Sequence, residues 1–346
     1  MSQSFLDIDL DAIVANWRAL DSMSDAAVET AAVVKADAYG CDAAVVGKAL
    51  QKAGAKSFFV ALPSEGAILR KALGSDSKIY VFSGLMAGDL DIIQSADLIP
   101  TINSPAQLMR YRTECADRPF GIQLDSGMNR LGMEPEEFAI VRDQATGADL
   151  IISHLACADE PDHPQNAAQL ASFREMTDGL DARRSLAATG GTLLGADYHF
   201  DMVRPGIGLH GAAPFDAGVN TLKLSIPVIQ SRLVQKGEGV GYGAYWIAER
   251  DTHIATVAAG YADGILRTMT FNPPALYAGD LACPIVGRVS MDLITVDVSG
   301  LDAVPETLDL ICDHQRVDAL ADAAGTIGYE ILTSLGSRYE RRYKGG

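Results

Sequence analysis

The feature that most constrains this chain is a rhythm of short apolar runs, centred near Val33, Phe59, Tyr80, Ile99, Ile122, Ile151, Ala187 and Ile207. Between most of them lie polar-patterned stretches long enough for a helix. Strand and helix alternating with crossovers of this length is the signature of βαβ units, and eight such units close a parallel barrel. An open doubly wound sheet is the rival architecture, but no Gly-x-Gly-x-x-Gly turn follows the first run. From about Leu222 the texture changes. Residues 225–236, 252–260, 282–289 and 292–298 read as strands with no long amphipathic helix between them, and Lys236-Gly237-Glu238-Gly239 and Asn272-Pro273-Pro274 supply turns. The expected fold is α/β: an N-terminal (β/α)8 TIM-type barrel over 1–224, packed directly against a mainly antiparallel β domain over 225–346. Residues 5–10 alternate apolar with aspartate, as a half-exposed strand free to pair with the second domain, and Asp11 is placed to cap the helix that follows.

Composition narrows the function. At 346 residues with 48% hydrophobic side chains the chain can bury a full core, while 28 Lys+Arg against 45 Asp+Glu give a net charge of −17. That balance argues against nucleic acid or an anionic membrane as partner. Five cysteines, Cys41, Cys115, Cys157, Cys283 and Cys312, are scattered without paired metal-type spacing, so they read as reduced thiols in a cytoplasmic protein and no metal is expected. The N-terminus has neither a basic region nor an apolar run, so no signal peptide or membrane segment is expected.

In a βα barrel the reactive groups sit at the carboxyl ends of the strands, and a phosphate site commonly forms from the loops after strands seven and eight. This rule selects positions directly. Ala31-Ala32-Val33-Val34 runs straight into Lys35, a lysine that either snorkels out of a strand end or holds its amine in a partly desolvated mouth, where it can form a Schiff base. Strand five leads into Asp125-Ser126-Gly127-Met128-Asn129-Arg130-Leu131-Gly132, and strand six ends at Ser153-His154. Thr189-Gly190-Gly191-Thr192 follows strand seven and offers hydroxyls and open amides to an anion; as a bare turn it is equally ordinary. Strand eight is expected to begin near Arg204-Pro205-Gly206-Ile207. A lysine and a phosphate cradle at one barrel mouth suggest pyridoxal phosphate.

Val34-Lys35-Ala36-Asp37-Ala38-Tyr39-Gly40 resembles the pyridoxal-lysine signature of alanine racemases. The Asp125 block, Arg204-Pro205-Gly206-Ile207, Gly241-Tyr242-Gly243, Gly260-Tyr261-Ala262-Asp263-Gly264, Gly287-Arg288-Val289-Ser290-Met291-Asp292 and Gly325-Thr326-Ile327-Gly328-Tyr329-Glu330 resemble that family's other blocks, in order. The resemblance implies that pyridoxal 5'-phosphate is held on Lys35 as a Schiff base, with Tyr39, Thr189, Gly206, Ile207 and Tyr329 at the phosphate and Arg204 facing the pyridine nitrogen. It further implies a two-base racemisation of alanine. Lys35 would serve one face of Cα and Tyr242, donated by the β domain of a second subunit in a homodimer, the other, with His154 and Arg204 behind the phenol. Arg130 and the Met291 backbone would orient the substrate carboxylate, and Tyr261, Arg267 and Asp292 would line a narrow entrance. The implied role is supply of D-alanine for peptidoglycan. A broader-specificity amino-acid racemase and a non-catalytic pyridoxal phosphate carrier are the alternatives; the second would lack the β domain.

Three positions depart from the family pattern. Gln123 stands where many members carry a carbamylated lysine that steadies the arginine corresponding to Arg130. Ser185-Leu186-Ala187-Ala188-Thr189 replaces His-x-x-Asn-Ser, which removes a histidine beside Arg204 and leaves the support of that arginine in question. Cys41 replaces a common histidine, with little expected consequence.

Overall fold

The computed structural model describes residues 3–346, which divide into two compact units: Ile13–Gly218, and Val219–Gly346 together with the N-terminal residues through Ala12.

In the first unit, short runs of β-branched and aromatic residues form parallel strands at Ala32–Val33, Ser57–Val60, Lys78–Val81, Ile99–Ile102, Gly121–Gln123, Leu150–Ile152 and Arg183–Ser185, each paired with the next. The eighth strand, Met202–Val203, pairs in parallel with Glu29–Thr30, the N-terminal part of the first. On its other side Arg204 N–H donates to Ala187 C=O at 2.8 Å and Asp201 N–H to Arg184 C=O at 3.0 Å. Hydrogen bonding therefore runs right round the ring, and the sheet is a closed barrel rather than an open wound sheet. Strand eight lies upstream of its expected position. The apolar run around Ile207 instead forms a 3-10 turn, Ile207–His210, because Pro205 has no N–H for a ladder and Gly206 and Gly208 favour a turn. The barrel interior is filled by Ala31, Val33, Phe59, Tyr80, Ile99, Leu150, Ile152 and Met202. Phe59 stacks on Tyr80 at 4.7 Å and on Phe82 at 5.2 Å, giving the core an aromatic column.

In the second unit, Phe5–Asp9 pairs antiparallel with Leu222–Val234 and parallel with Glu340–Lys344. Leu222–Val234 is long enough to serve two ladders, with Thr307–Ile311 along its first half and Thr252–Val257 along its second. Ala275–Ala278, Leu281–Val286 and Ile294–Asp297 complete an antiparallel arrangement. Two short helices, Val317–Ala324 and Gly328–Ser334, follow. The helix Leu10–Asp21 is capped by Asp9, whose Oδ1 accepts from Ala12 N–H at 2.9 Å. Asp11 lies in its first turn instead, so the expected cap is displaced by two residues. Among the described residues, no helix is long and apolar enough to cross a membrane.

Candidate active site

The carboxyl ends of the barrel strands gather most of the predicted cofactor residues. Lys35 follows the first strand directly, half-buried, with Nζ 5.8 Å from the centre of the Phe82 ring. Burial in this mouth, and then the charge of Arg130, lowers its pKa, and Glu65 partly offsets the effect. This shift favours the neutral amine that carbonyl chemistry requires. The backbone then turns sharply. Ala36, Asp37, Ala38 and Tyr39 all adopt left-handed conformations with φ between 51° and 58°, a run that costs non-glycine residues about 1–2 kcal/mol each. The turn is held by the surrounding structure: Asp37 Oδ1 accepts from Ala43 N–H at 2.8 Å, and Glu65 Oε1 from Ala36 N–H at 2.9 Å.

The turn buries Tyr39 against the eighth-strand loop. A Cβ at Gly206 would overlap the Tyr39 hydroxyl, so only glycine lets the two approach. Beside them Thr189 Oγ1 accepts from Gly206 N–H at 3.1 Å and from Gly208 N–H at 3.2 Å. Tyr39, Thr189, Gly206 and Ile207 thus form one buried cluster of hydroxyls and backbone amides.

Arg204 is 2% exposed and lies 5.8 Å from the Phe59 ring. Nη1 donates to Ser185 C=O at 2.8 Å and to the Ser185 hydroxyl, and Nη2 to Ser153 C=O at 2.7 Å. Ser185 Oγ in turn donates to Met202 C=O at 2.5 Å, which turns its lone pairs toward the guanidinium. The residue that replaces the family's histidine therefore supports the arginine itself. All these acceptors are neutral, and burial pulls the guanidinium pKa down to about 9. His154 ends the sixth strand. Burial, followed by the charges of Arg204, Arg130 and Lys35, pushes it down to about 3, so it is a neutral imidazole.

Arg130 is exposed on the loop after strand five. The Asp125 carboxylate shapes that loop by accepting from the N–H groups of Gly127, Met128 and Arg130 at 2.8, 2.8 and 3.0 Å. Burial works against the charged carboxylate, but these amides hold its pKa below the usual range. Gln123 donates to Leu131 C=O at 3.1 Å, bracing the same loop through its backbone. Among the described residues, the Arg130 guanidinium has no hydrogen bond or ion pair.

The second unit carries the other predicted residues. Tyr242 opens a 3-10 turn between Gly241 and Gly243, both at φ 72°, and is 73% exposed. Arg288 lies 4.9 Å from the Tyr245 ring, which meets Phe271 edge-on. Tyr261 is exposed and its N–H donates to Ser290 C=O at 3.0 Å, while Ala262 N–H donates to Met291 C=O at 3.0 Å. A Cβ at Gly260 would run into both carbonyl oxygens. Asp292 accepts from Arg338 Nη1 at 2.7 Å, and Arg338 also grips buried Asp263 through Nε and Nη2 at 2.6 and 2.7 Å. Arg267 begins a short 3-10 turn, and Tyr329 lies half-buried on the helix Gly328–Ser334. Sequence reasoning overlooked Glu65, Phe82 and Arg338, and it read Ser185 only as the loss of a histidine that would support Arg204, whereas Ser185 accepts from that arginine. Glu65 did carry a signal, as the glutamate three residues into a Leu-Pro-Ser-Glu helix start.

A closed βα barrel that presents a partly desolvated lysine, a buried arginine and a glycine-threonine cradle at one mouth, joined to a mainly antiparallel unit, defines a class of barrel proteins built for carbonyl chemistry on a phosphorylated ligand. The chain belongs to the alanine racemase family: residues 8–214 match the family's "Alanine racemase, N-terminal domain" and residues 221–343 its "Alanine racemase, C-terminal domain". An alanine racemase of Dinoroseobacter shibae is 61% identical, with 100% of this chain and 99% of the relative covered. One of Rhizobium meliloti is 44% identical, with 100% and 98% covered. Among solved structures, the alanine racemase of Bartonella henselae with covalently bound pyridoxal phosphate superposes with a TM-score of 0.93 at 35% identity, covering 99% of this chain and 100% of that one.

Proposed function

We propose that the protein interconverts L- and D-alanine with pyridoxal 5'-phosphate. The observation that carries this reading is the convergence of Lys35, Arg204 and the Tyr39–Thr189–Gly206 cradle on one mouth, in a chain that matches alanine racemases from end to end. The residues fit the cofactor. Lys35 offers a partly desolvated amine for the aldehyde, Phe82 and Phe59 an aromatic floor, and Arg204 a guanidinium for the ring nitrogen. Tyr39, Thr189 and the amides near Gly206 and Ile207 offer donors for the phosphate. When bound, pyridoxal phosphate supplies the electron sink that acidifies the Cα–H of an attached amino acid.

The protein's own groups then move the proton. Once substrate frees it, Lys35 takes the proton from D-alanine at Nζ or returns one to that face. Tyr242 does the same from the opposite face at its phenolic oxygen, the requirement for inverting a centre rather than exchanging it in place. Arg204 would leave the ring nitrogen of the bound cofactor without a proton, which would make the ring a weaker sink and restrain side reactions such as transamination. His154, neutral between Arg204 and the second base, relays hydrogen bonding without adding charge. Arg130 and the Met291 backbone hold the substrate carboxylate, and Tyr261, Arg267 and Asp292 restrict the entrance to small side chains.

The second base comes from another copy. Tyr242, Tyr245, Phe271 and Met291 form an exposed, largely aromatic set on the β unit, with Phe271 70% and Met291 54% accessible in the single chain, and such a surface suits burial in a homodimer. We place the enzyme in the cytoplasm, where its five unpaired cysteines stay reduced, with neither nucleic acid nor membrane as partner, and its product in peptidoglycan synthesis. The test is incubation of the purified protein with pyridoxal phosphate and L-alanine in deuterated water. D-alanine carrying deuterium at Cα is expected; optically unchanged alanine contradicts the reading.

A further inference from the structure

Glu65 occupies the third position of the helix Pro63–Leu73. Its Oε2 accepts from Ala61 N–H at 2.7 Å and Leu62 N–H at 3.3 Å, which is the work of a capping box. Its other oxygen does something a helix cap does not need. Oε1 reaches to the neighbouring strand and accepts from Ala36 N–H at 2.9 Å, the peptide group that Lys35 itself shares. That amide also opens the left-handed turn leading to Tyr39. One carboxylate therefore ties together the end of the second strand, the lysine, and the start of the segment that carries the phosphate-end tyrosine. The charged and titratable groups facing Lys35 are Glu65 from this helix, Arg130 from the loop after strand five and His154 at the end of strand six. His154 is neutral, Arg130 is positive, and Glu65 brings the negative charge.

We infer that Glu65 is a positioning residue for Lys35, clasping the Lys35–Ala36 peptide through Oε1 and supplying the counter-charge that keeps the amine able to carry a proton. The inference rests on the reading that Lys35 holds the cofactor and works on one face of Cα. In that role the lysine must alternate between neutral base and protonated acid. Burial and Arg130 both disfavour the protonated form, so without an opposing charge Lys35 would accept a proton from D-alanine but hold it poorly for return. The clasp fixes where the amine stands; the charge sets how readily it stays protonated.

Glu65→Gln and Glu65→Asp in the full chain separate these contributions. Glu65→Gln replaces one acceptor oxygen with an amide that faces backbone N–H groups. It is expected to weaken pyridoxal phosphate binding, titrated by absorbance, about tenfold. It is also expected to move the Lys35-dependent limb of the racemisation pH profile to lower pH, with the limb set by the second base in place. Glu65→Asp keeps the charge in the first helical turn but falls a methylene short of Ala36 N–H. It should loosen the cofactor comparably while shifting the limb less. Glu65→Gln with wild-type cofactor affinity and an unmoved pH profile, even if less heat-stable, would reduce Glu65 to a helix cap. Glu65→Asp with wild-type affinity would remove the clasp. If neither variant folds, amide exchange at Ala36 in the wild type decides: slow exchange is expected, and an unprotected amide overturns the proposal. Wild-type protein run in parallel must bind pyridoxal phosphate and racemise alanine, and its failure would count against the functional reading instead.

Discussion

The barrel mouth and the exposed face of the β unit solve different problems with the same kinds of residue. In the mouth the buried groups are pinned. Arg204 is held through the Ser185 and Ser153 carbonyls, Tyr39 lies at the end of a left-handed turn that Glu65 and Asp37 restrain, and Thr189 takes two amide donors. On the β unit the backbone is equally defined, with glycines at 241, 243 and 260 where side chains would strain or clash, yet Tyr242 is 73% exposed. The contrast teaches that the buried side chains of the mouth are held by the chain's own hydrogen bonds, whereas the β face has an ordered backbone but an exposed Tyr242. The buried half carries one of the two proposed bases, Lys35, and the exposed half the other, Tyr242.

The largest expected effect breaks the buried half. Lys35→Ala removes both the anchor and a base, so racemisation should fall by roughly 10⁴-fold or more and the visible absorption of lysine-bound cofactor should vanish; retained absorption would remove Lys35 from the role. Tyr242→Phe attacks the exposed half and should leave that absorption intact while slowing proton loss from L-alanine by about 10²–10⁴-fold, far more than from D-alanine. Equal slowing of Cα-proton loss from the two enantiomers, followed by hydrogen exchange in single turnovers, would contradict the assignment of faces. Gly206→Ala should weaken cofactor binding at least about tenfold, because the new Cβ displaces Tyr39; an unchanged titration would show that the cradle tolerates the shift. Ser185→Ala should lower unfolding stability by about 1–2 kcal/mol through the lost charged hydrogen bond, as read from a denaturant midpoint, whereas an unmoved midpoint would mean that the two carbonyls suffice for Arg204.

A separate effect concerns pH. Burial holds His210 down to about 4 and, with neighbouring cations, His154 to about 3, while both titrate near 6.5 when unfolded. Below pH 6.5 the unfolded chain therefore binds more protons, so stability is constant above that point and falls as the solution is acidified, by up to about 1.4 kcal/mol per pH unit for each histidine. Denaturant titrations from pH 7.5 to 4.5 should show this slope, and His210→Asn should reduce it. A pH-independent midpoint over that range would show that these rings do take up protons in the fold.

Much of this was legible before any coordinates. The spacing of apolar runs pointed to βαβ units because each crossover had room for a helix, eight runs without a Gly-x-Gly-x-x-Gly turn favoured the barrel over an open sheet, and Lys35 stood out because four small or β-branched residues led into a charge. The eighth strand was misplaced because Ile207 and Leu209 are as apolar as strand residues, and only Pro205 and the glycines at 206 and 208 betray the turn. Strands Ala275–Ala278 and Glu340–Lys344 escaped notice because their short, partly exposed sequences carry little alternation, and Thr307–Ile311, which does alternate, is only five residues long. Glu65 and Ser185 were illegible as site residues for a different reason: each acts through bonds to strands 29 and 19 positions away, and no local pattern announces such a contact.

The central claim, that the chemistry is divided between two halves donated by different copies, is tested most directly by mixing Lys35→Ala and Tyr242→Phe chains under conditions of verified subunit exchange. Each variant alone should be nearly inactive, and the mixture should regain activity, up to about one intact site in each hybrid dimer. No recovery from fully exchanged hybrids would mean that both bases serve a site within a single chain.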